Sequence, residues 1–327
     1  MKYTRLTLAL CAALSLAACK PSENAAGKPA ENAPAASAAA HQHEIAGETV
    51  TIATTRGEAT VPLKPERIAV YDLGMIDTLS KLGVPIGASV DQSRLTYTQD
   101  AIKDAVKAGT LFEPNYEALH AYKPQLIIIG SRAAKAFDQL NAIAPTIEMT
   151  ADTKNLKDSA KERITAFGKV FGKEAEAEKL NAEIDTSFEA AKQAAAGKGN
   201  GLVILVNGGK MSAYGPLSRL GGWLHTDIGI PAADTEIKEG SHGQPVTFEY
   251  IKEKNPDWLF VLDRSAAIGE EGTAAKDVLD NPLVADTTAA KKGQIVYLVP
   301  ETYLAAGGAQ ELLNATKQVT DAFNAAK

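Results

Sequence analysis

One pattern, written twice, restricts what this chain can fold into. The segment from Asn115 to Arg132 reads Asn-Tyr-Glu-Ala-Leu-His-Ala-Tyr-Lys-Pro-Gln-Leu-Ile-Ile-Ile-Gly-Ser-Arg, and its outline returns from Thr247 to Arg264. In each copy a Glu (Glu117, Glu249) opens a short amphipathic stretch, a Pro follows (Pro124, Pro256), and an apolar run leads to an Arg (Arg132, Arg264). Only Glu, Pro and Arg are identical between the copies, so the repeat is one of pattern and spacing. Proline cannot continue a helix and disfavours helical geometry in the residue before it, so each copy predicts a helix, an extended turn residue and a strand. A strand with almost no polar residue suits a parallel sheet covered on both faces by helices. Ligands of open parallel sheets bind just outside the carboxyl ends of the strands. Two copies therefore predict two Rossmann-like α/β lobes, each aiming a guanidinium into a cleft between them.

The flanking sequence sets the domain plan. Residues 1–18 carry positive charge and then the apolar run Leu6–Leu16, too short to span a bilayer permanently, and read as a secretory signal. The run closes on Leu16-Ala17-Ala18-Cys19, which resembles the bacterial lipobox, so Cys19 is the expected lipidation site and acyl chains would hold the protein on a membrane. Cys11 would leave with the leader, so neither a disulfide nor a thiolate metal site is expected. Residues 19–45 are poor in large apolar side chains and read as a disordered tether, with His41 and His43 as passive imidazoles at its end. The remainder exceeds what one core usually organises. It divides into an N-terminal α/β lobe at 46–172, beginning with a hairpin around Arg56-Gly57, a connecting helix at 173–196, and a C-terminal α/β lobe at 197–327. The connecting helix is rich in Ala, Glu and Lys, and a single long strut disfavours large hinge closure.

No nucleophile elbow, Walker lysine, zinc-protease helix or Cys/His finger is present, so no catalytic residue is assigned and the chain does not read as an enzyme. The acidic balance, net charge −6, disfavours nucleic acid as a partner. Against that background only eight of the 34 Lys plus Arg residues are Arg. Arg132, Arg219 and Arg264 all fall on loops or strand ends that should face the cleft. Arginine meets paired oxygens with a planar fork of donors, so three together point to an anion with several chelating oxygens.

The lipobox, hairpin, paired lobes, helical strut and repeat together resemble the periplasmic siderophore-binding proteins of ABC iron importers, over essentially the whole mature chain. Within that family Ser131–Lys135, Val206–Tyr214, Ser218-Arg219, Glu239–Gly243 and Tyr303 are similar to the ferric-catecholate, enterobactin-type binders. The resemblance implies that Arg132, Arg219 and Arg264 surround the catecholate oxygens and that His242 and Tyr303 complete the iron shell. It implies further that Glu117 and Glu249 dock on a permease driven by its ATPase. It also implies a monomer on the periplasmic side of a membrane, with no intrinsic cofactor and Fe(III) carried only as the siderophore complex. Fe(III) is hard and six-coordinate, so a tetradentate bis-catecholate would leave two positions for His242 and Tyr303, whereas a hexadentate ligand would be held by the arginines alone. Carriage of cobalamin, haem or a bare metal ion by the same fold stays open; for a bare ion His41, His43, His120 and His225 would have to join His242.

Overall fold

Two five-stranded sheets form because the buried apolar runs outnumber what one sheet can cover. The computed structural model describes residues 43–326 apart from Glu239 and Ser241, so the leader, Cys19, His41 and most of the tether lie outside the described residues. Strands β1 (Thr49–Thr54) and β2 (Gly57–Pro62) pair antiparallel as the opening hairpin. In the first lobe β3 (Ile68–Tyr71), β4 (Ala88–Ser89), β5 (Val106–Lys107), β6 (Leu126–Ile129) and β7 (Thr146–Glu148) make an all-parallel sheet of order β5-β4-β3-β6-β7. In the second lobe β8 (Gly201–Asn207), β9 (Lys210–Tyr214), β10 (Gln244–Val246), β11 (Trp258–Asp263) and β12 (Ile295–Tyr297) are ordered β10-β9-β8-β11-β12. This second sheet is mixed, because Gly208 and Gly209, both at positive φ, turn β8 straight back into antiparallel β9.

Both copies of the repeat fold alike. Asn115 and Thr247 cap the helices Tyr116–Tyr122 and Phe248–Lys254, accepting from the amides of Ala118 at 3.0 Å and Tyr250 at 3.4 Å. The residue before each Pro is not extended as expected. Lys123 and Asn255 are left-handed, at φ 54° and 42°, and their amides bond back to Leu119 and Ile251. The left-handed cap satisfies a terminal helix carbonyl while still avoiding the right-handed geometry that the following Pro forbids.

A long helix, Glu174–Ala195, joins the lobes, burying Leu180, Ile184, Phe188 and Ala191 at helical spacing. Phe188 meets Trp223 of the second lobe edge-on at 6.5 Å, while Asp185 takes Lys157 at 2.9 Å and Lys161 at 2.5 Å from the first lobe. The final helix, Ala309–Ala325, ties the lobes a second time. Its far end sets Phe323 against Trp258 at 4.2 Å. Its first turn is held by Asp77 of the first-lobe helix Leu73–Lys81, which accepts from the amides of Gln310 (2.7 Å) and Glu311 (2.9 Å) and from the Tyr97 hydroxyl (2.8 Å). Among the described residues no helix is long and apolar enough to cross a membrane. The first described histidine, His43, departs from the passive-tail expectation: it is half-buried and its Nε2 lies 2.5 Å from the Asn141 carbonyl oxygen.

Two stability predictions follow from these contacts. Asn255→Ala removes both a residue tolerant of left-handed geometry and the acceptor of the Thr288 amide at 2.8 Å. It should cost about 1–2 kcal/mol in urea unfolding. The second concerns Asp77, whose carboxyl burial pushes up to about 6 although its three donors pull it back. The native state then keeps this proton to higher pH than the unfolded chain does, so this group lowers stability as pH rises from about 4 to about 6. Wild type should therefore lose about 1–3 kcal/mol relative to Asp77→Asn between those pH values, and a constant difference would refute this.

Candidate functional site

In each sheet the chain reverses its direction of growth beside a central strand, and that point is where a crevice opens. In the first lobe it lies between β3 and β6, followed by Asp72 and by Gly130-Ser131-Arg132 respectively. Gly130 has to be small there, since a side-chain carbon would collide with the Asp72 carboxylate. In the second lobe it lies between β8, ending at Asn207, and β11, followed at once by Arg264. Asn207 and Arg264 are joined: Arg264 Nη1 donates to Asn207 Oδ1 at 3.0 Å.

The arginines converge on Tyr303, which lies in the short helix Glu301–Leu304 and not at a strand end. Arg264 Nε donates to the phenol oxygen at 2.9 Å. The Arg219 guanidinium carbon lies 4.9 Å from the ring centre and that of Arg264 5.7 Å, both over its electron-rich face. From the other lobe, Arg132 donates to the backbone oxygens of Leu304 (3.1 Å) and Tyr303 (3.3 Å). Burial alone would raise the Tyr303 pKa; the Arg264 hydrogen bond and the charges of Arg264 and Arg219 outweigh it and hold the phenol below the ordinary tyrosine range. Glu270 is the one carboxylate paired with these three arginines among the described residues, at 3.4 Å from Arg264.

A cavity of about 170 Å³ is lined from both lobes by Asp72, Ser131, Arg132, Arg163, Arg219 and Tyr303 among others. A larger concavity, about 890 Å³, lies between the hairpin and the Leu156–Phe171 helix, away from the convergent arginines. We take the cleft as the site because its polar groups converge there.

Sequence reasoning had no signal for Arg163, which is mid-helix and fully buried. It donates to the carbonyls of Met149 (3.2 Å) and Gly307 (2.6 Å), pinning the chain just after Tyr303, and burial pulls its pKa down. Tyr214 was also missed, though it sits in the quoted β8–β9 motif. Burial raises its hydroxyl pKa and Arg219 draws it partly back.

His242 is exposed in the turn before β10 and makes no hydrogen bond to Tyr303; its neighbour Gly243 packs on the Tyr214 ring. The other described histidines do not join it: His120 is exposed on a repeat helix, and His225 Nδ1 lies 2.8 Å from the Ile230 oxygen. Among the described residues no three His, Cys, Asp or Glu side chains gather as a metal site. Glu117 and Glu249 are both exposed, each in the first turn of its repeat helix.

Two α/β lobes on a helical strut, with a polar cleft fed by both switch points, have the architecture of a cleft-type ligand-binding protein. The comparisons agree: the periplasmic binding protein family matches residues 68–302, and the chain belongs to that family. It is 40% identical over 266 residues to the petrobactin-binding protein YclQ of Bacillus subtilis, covering 80% of this chain and 83% of that one. The YclQ crystal structure superposes with a TM-score of 0.81 at 35% identity, over 85% of this chain and 99% of that one. The ferric-anguibactin-binding protein FatB of Vibrio anguillarum is 30% identical over 76% of this chain and 79% of its own. The catecholate-siderophore binding protein VctP of Vibrio cholerae aligns at 32% identity and a TM-score of 0.77, over 85% of this chain and all of VctP.

Replacing Arg264 with Met should raise the Tyr303 pKa toward the ordinary value. Ultraviolet titration of tyrosinate, with Tyr303→Phe as the subtraction, reads that rise; an unchanged curve would show that Arg264 does not tune the phenol.

Proposed function

We propose that this protein captures ferric siderophores and delivers them to an ABC permease and its ATPase, with ferric catecholates, enterobactin and its linear tetradentate fragments among them, as the ligand class. The observation that carries this reading is the Tyr303 phenol held between Arg264 and Arg219 with Arg132 braced beneath it. A phenol so placed is easier to ionise, and Fe(III) favours anionic oxygen. Guanidinium forks suit the paired oxygens of a catecholate. The names of YclQ, a petrobactin-binding protein, FatB, a ferric-anguibactin-binding protein, and VctP, a catecholate-siderophore binding protein, support the same ligand class.

In this reading Arg132, Arg219 and Arg264 meet the ligand's oxygens. Tyr303 and His242 enter the iron shell when the siderophore is tetradentate. His242 reaches it only if its turn moves inward, which the exposed position and the neighbouring glycines Gly240 and Gly243 allow. Glu117 and Glu249, one per lobe, dock on the permease, and Cys19 carries the lipid that keeps a monomeric protein on the periplasmic face of a membrane. Cobalamin or haem would ask for aromatic walls instead of guanidinium groups, and a bare cation would be repelled by them.

The test follows quenching of Trp223 and Trp258 in the full chain, purified in detergent, as iron(III) bis-catecholate is added. Tight saturable binding is expected. In His242→Ala with Tyr303→Phe the catecholate-to-iron absorption band should shift and affinity should fall by about tenfold or more. Unchanged binding in that variant would discard the two iron ligands and keep the cargo, and no binding by wild type would overturn the function.

A further inference from the structure

A fourth arginine faces the cleft and belongs to none of the roles above. Arg94 lies in the loop after β4, at the carboxyl end of the first sheet, the same end at which β3 and β6 present Asp72 and Arg132. Its loop is tied down on every side. The Asp91 amide donates to the Gly109 carbonyl at 2.7 Å, and the Gly109 amide donates to Asp91 Oδ1 at 2.8 Å. Ser93 accepts from the Leu95 amide at 3.2 Å, Leu95 is buried, and Tyr97 donates to Asp77. From this fixed base the Arg94 side chain is exposed, and among the described residues it makes no hydrogen bond or ion pair.

The guanidinium crosses to the other lobe. It lies so close over Gly269 that a side-chain carbon there would collide with it. Gly269, at φ +65°, closes the helix Arg264–Ile268, so Arg94 rests on the element whose first residue is Arg264. The next residue, Glu270, gives Arg264 its carboxylate partner. Arg94 thus adds a cation on the side of the cleft where Arg264 sits, with no ion-paired carboxylate of its own among the described residues. Like charges so gathered repel, and the repulsion is stronger where solvent is excluded. A bound anion reverses the sign of that contribution, and does so more strongly the more charge it brings.

We propose that Arg94 is a specificity-determining residue that favours ligands carrying negative charge beyond what Arg132, Arg219 and Arg264 meet. This rests on the siderophore reading and deepens it. A hexadentate ferric tris-catecholate is a trianion and a tetradentate ferric bis-catecholate a monoanion. Arg94 therefore acts chiefly on the hexadentate complex, the one that leaves no coordination position for His242 or Tyr303.

Titrations of the full chain with iron(III) tris-catecholate and iron(III) bis-catecholate, at low and high salt, test this on wild type, Arg94→Gln, Arg94→Lys and Gly269→Asn. Asparagine tolerates the left-handed cap but displaces the guanidinium. Arg94→Gln and Gly269→Asn should each weaken the trianion by about tenfold and the monoanion by less than about threefold, with a shallower salt dependence, and Arg94→Lys should recover part of the loss. Equal losses for both complexes, or none, with unfolding temperatures unchanged, would overturn the role of Arg94 and leave the siderophore reading standing. Failure of wild type to bind either complex would overturn the siderophore reading itself, and the role of Arg94 with it.

Discussion

The hydrogen bond from Arg264 to the Tyr303 phenol sets the character of the cleft. It joins the strand end of the second lobe to the chain that is about to return to the first. It also orients the guanidinium, whose Nη1 reaches Asn207 and Glu270, and lowers the cost of ionising the phenol. Arg132 adds the complementary contact from the first lobe, through backbone oxygens instead of the ring. Two arginines over one ring would repel each other in an apolar setting. Here an aromatic face, a phenol oxygen and the paired carboxylate of Glu270 disperse their charge, so the site stays cationic without unravelling.

How much of this was legible in the sequence follows from the range of each interaction. Buried strands such as Ile68–Tyr71 and Leu126–Ile129 announce themselves through unbroken apolar runs, and the Arg at the end of each repeat follows from parallel-sheet geometry. The left-handed Lys123 and Asn255 did not, because Pro excludes one conformation of its predecessor without choosing between the two that remain. Arg163 reads as an ordinary helix residue; only the folded chain brings the carbonyl of Gly307 to it. The cap that Asp77 makes on the last helix spans more than two hundred residues, beyond the reach of any periodicity. The position of His242 was legible only by resemblance, and the turn that carries it sits exposed.

The repeat also explains a division of labour. Each copy places its Glu at the start of a surface helix and its Arg one strand later, in the cleft. The same eighteen-residue outline therefore supplies an outward carboxylate and an inward guanidinium in both lobes, and the two ends of the unit are free to serve different partners.

The last helix begins on the first lobe, under Asp77, and ends on the second, with Phe323 against Trp258. This has a consequence for how the chain acquires its structure. The first-lobe helix Leu73–Lys81 lacks this packing partner until the last helix arrives, so its consolidation waits on a contact more than two hundred residues away in sequence. Such a chain pays its loop-closure entropy late and keeps apolar helix faces exposed until then. A chain arrested before Ala309 would thus leave both lobes without the helix that Asp77 and Trp258 hold.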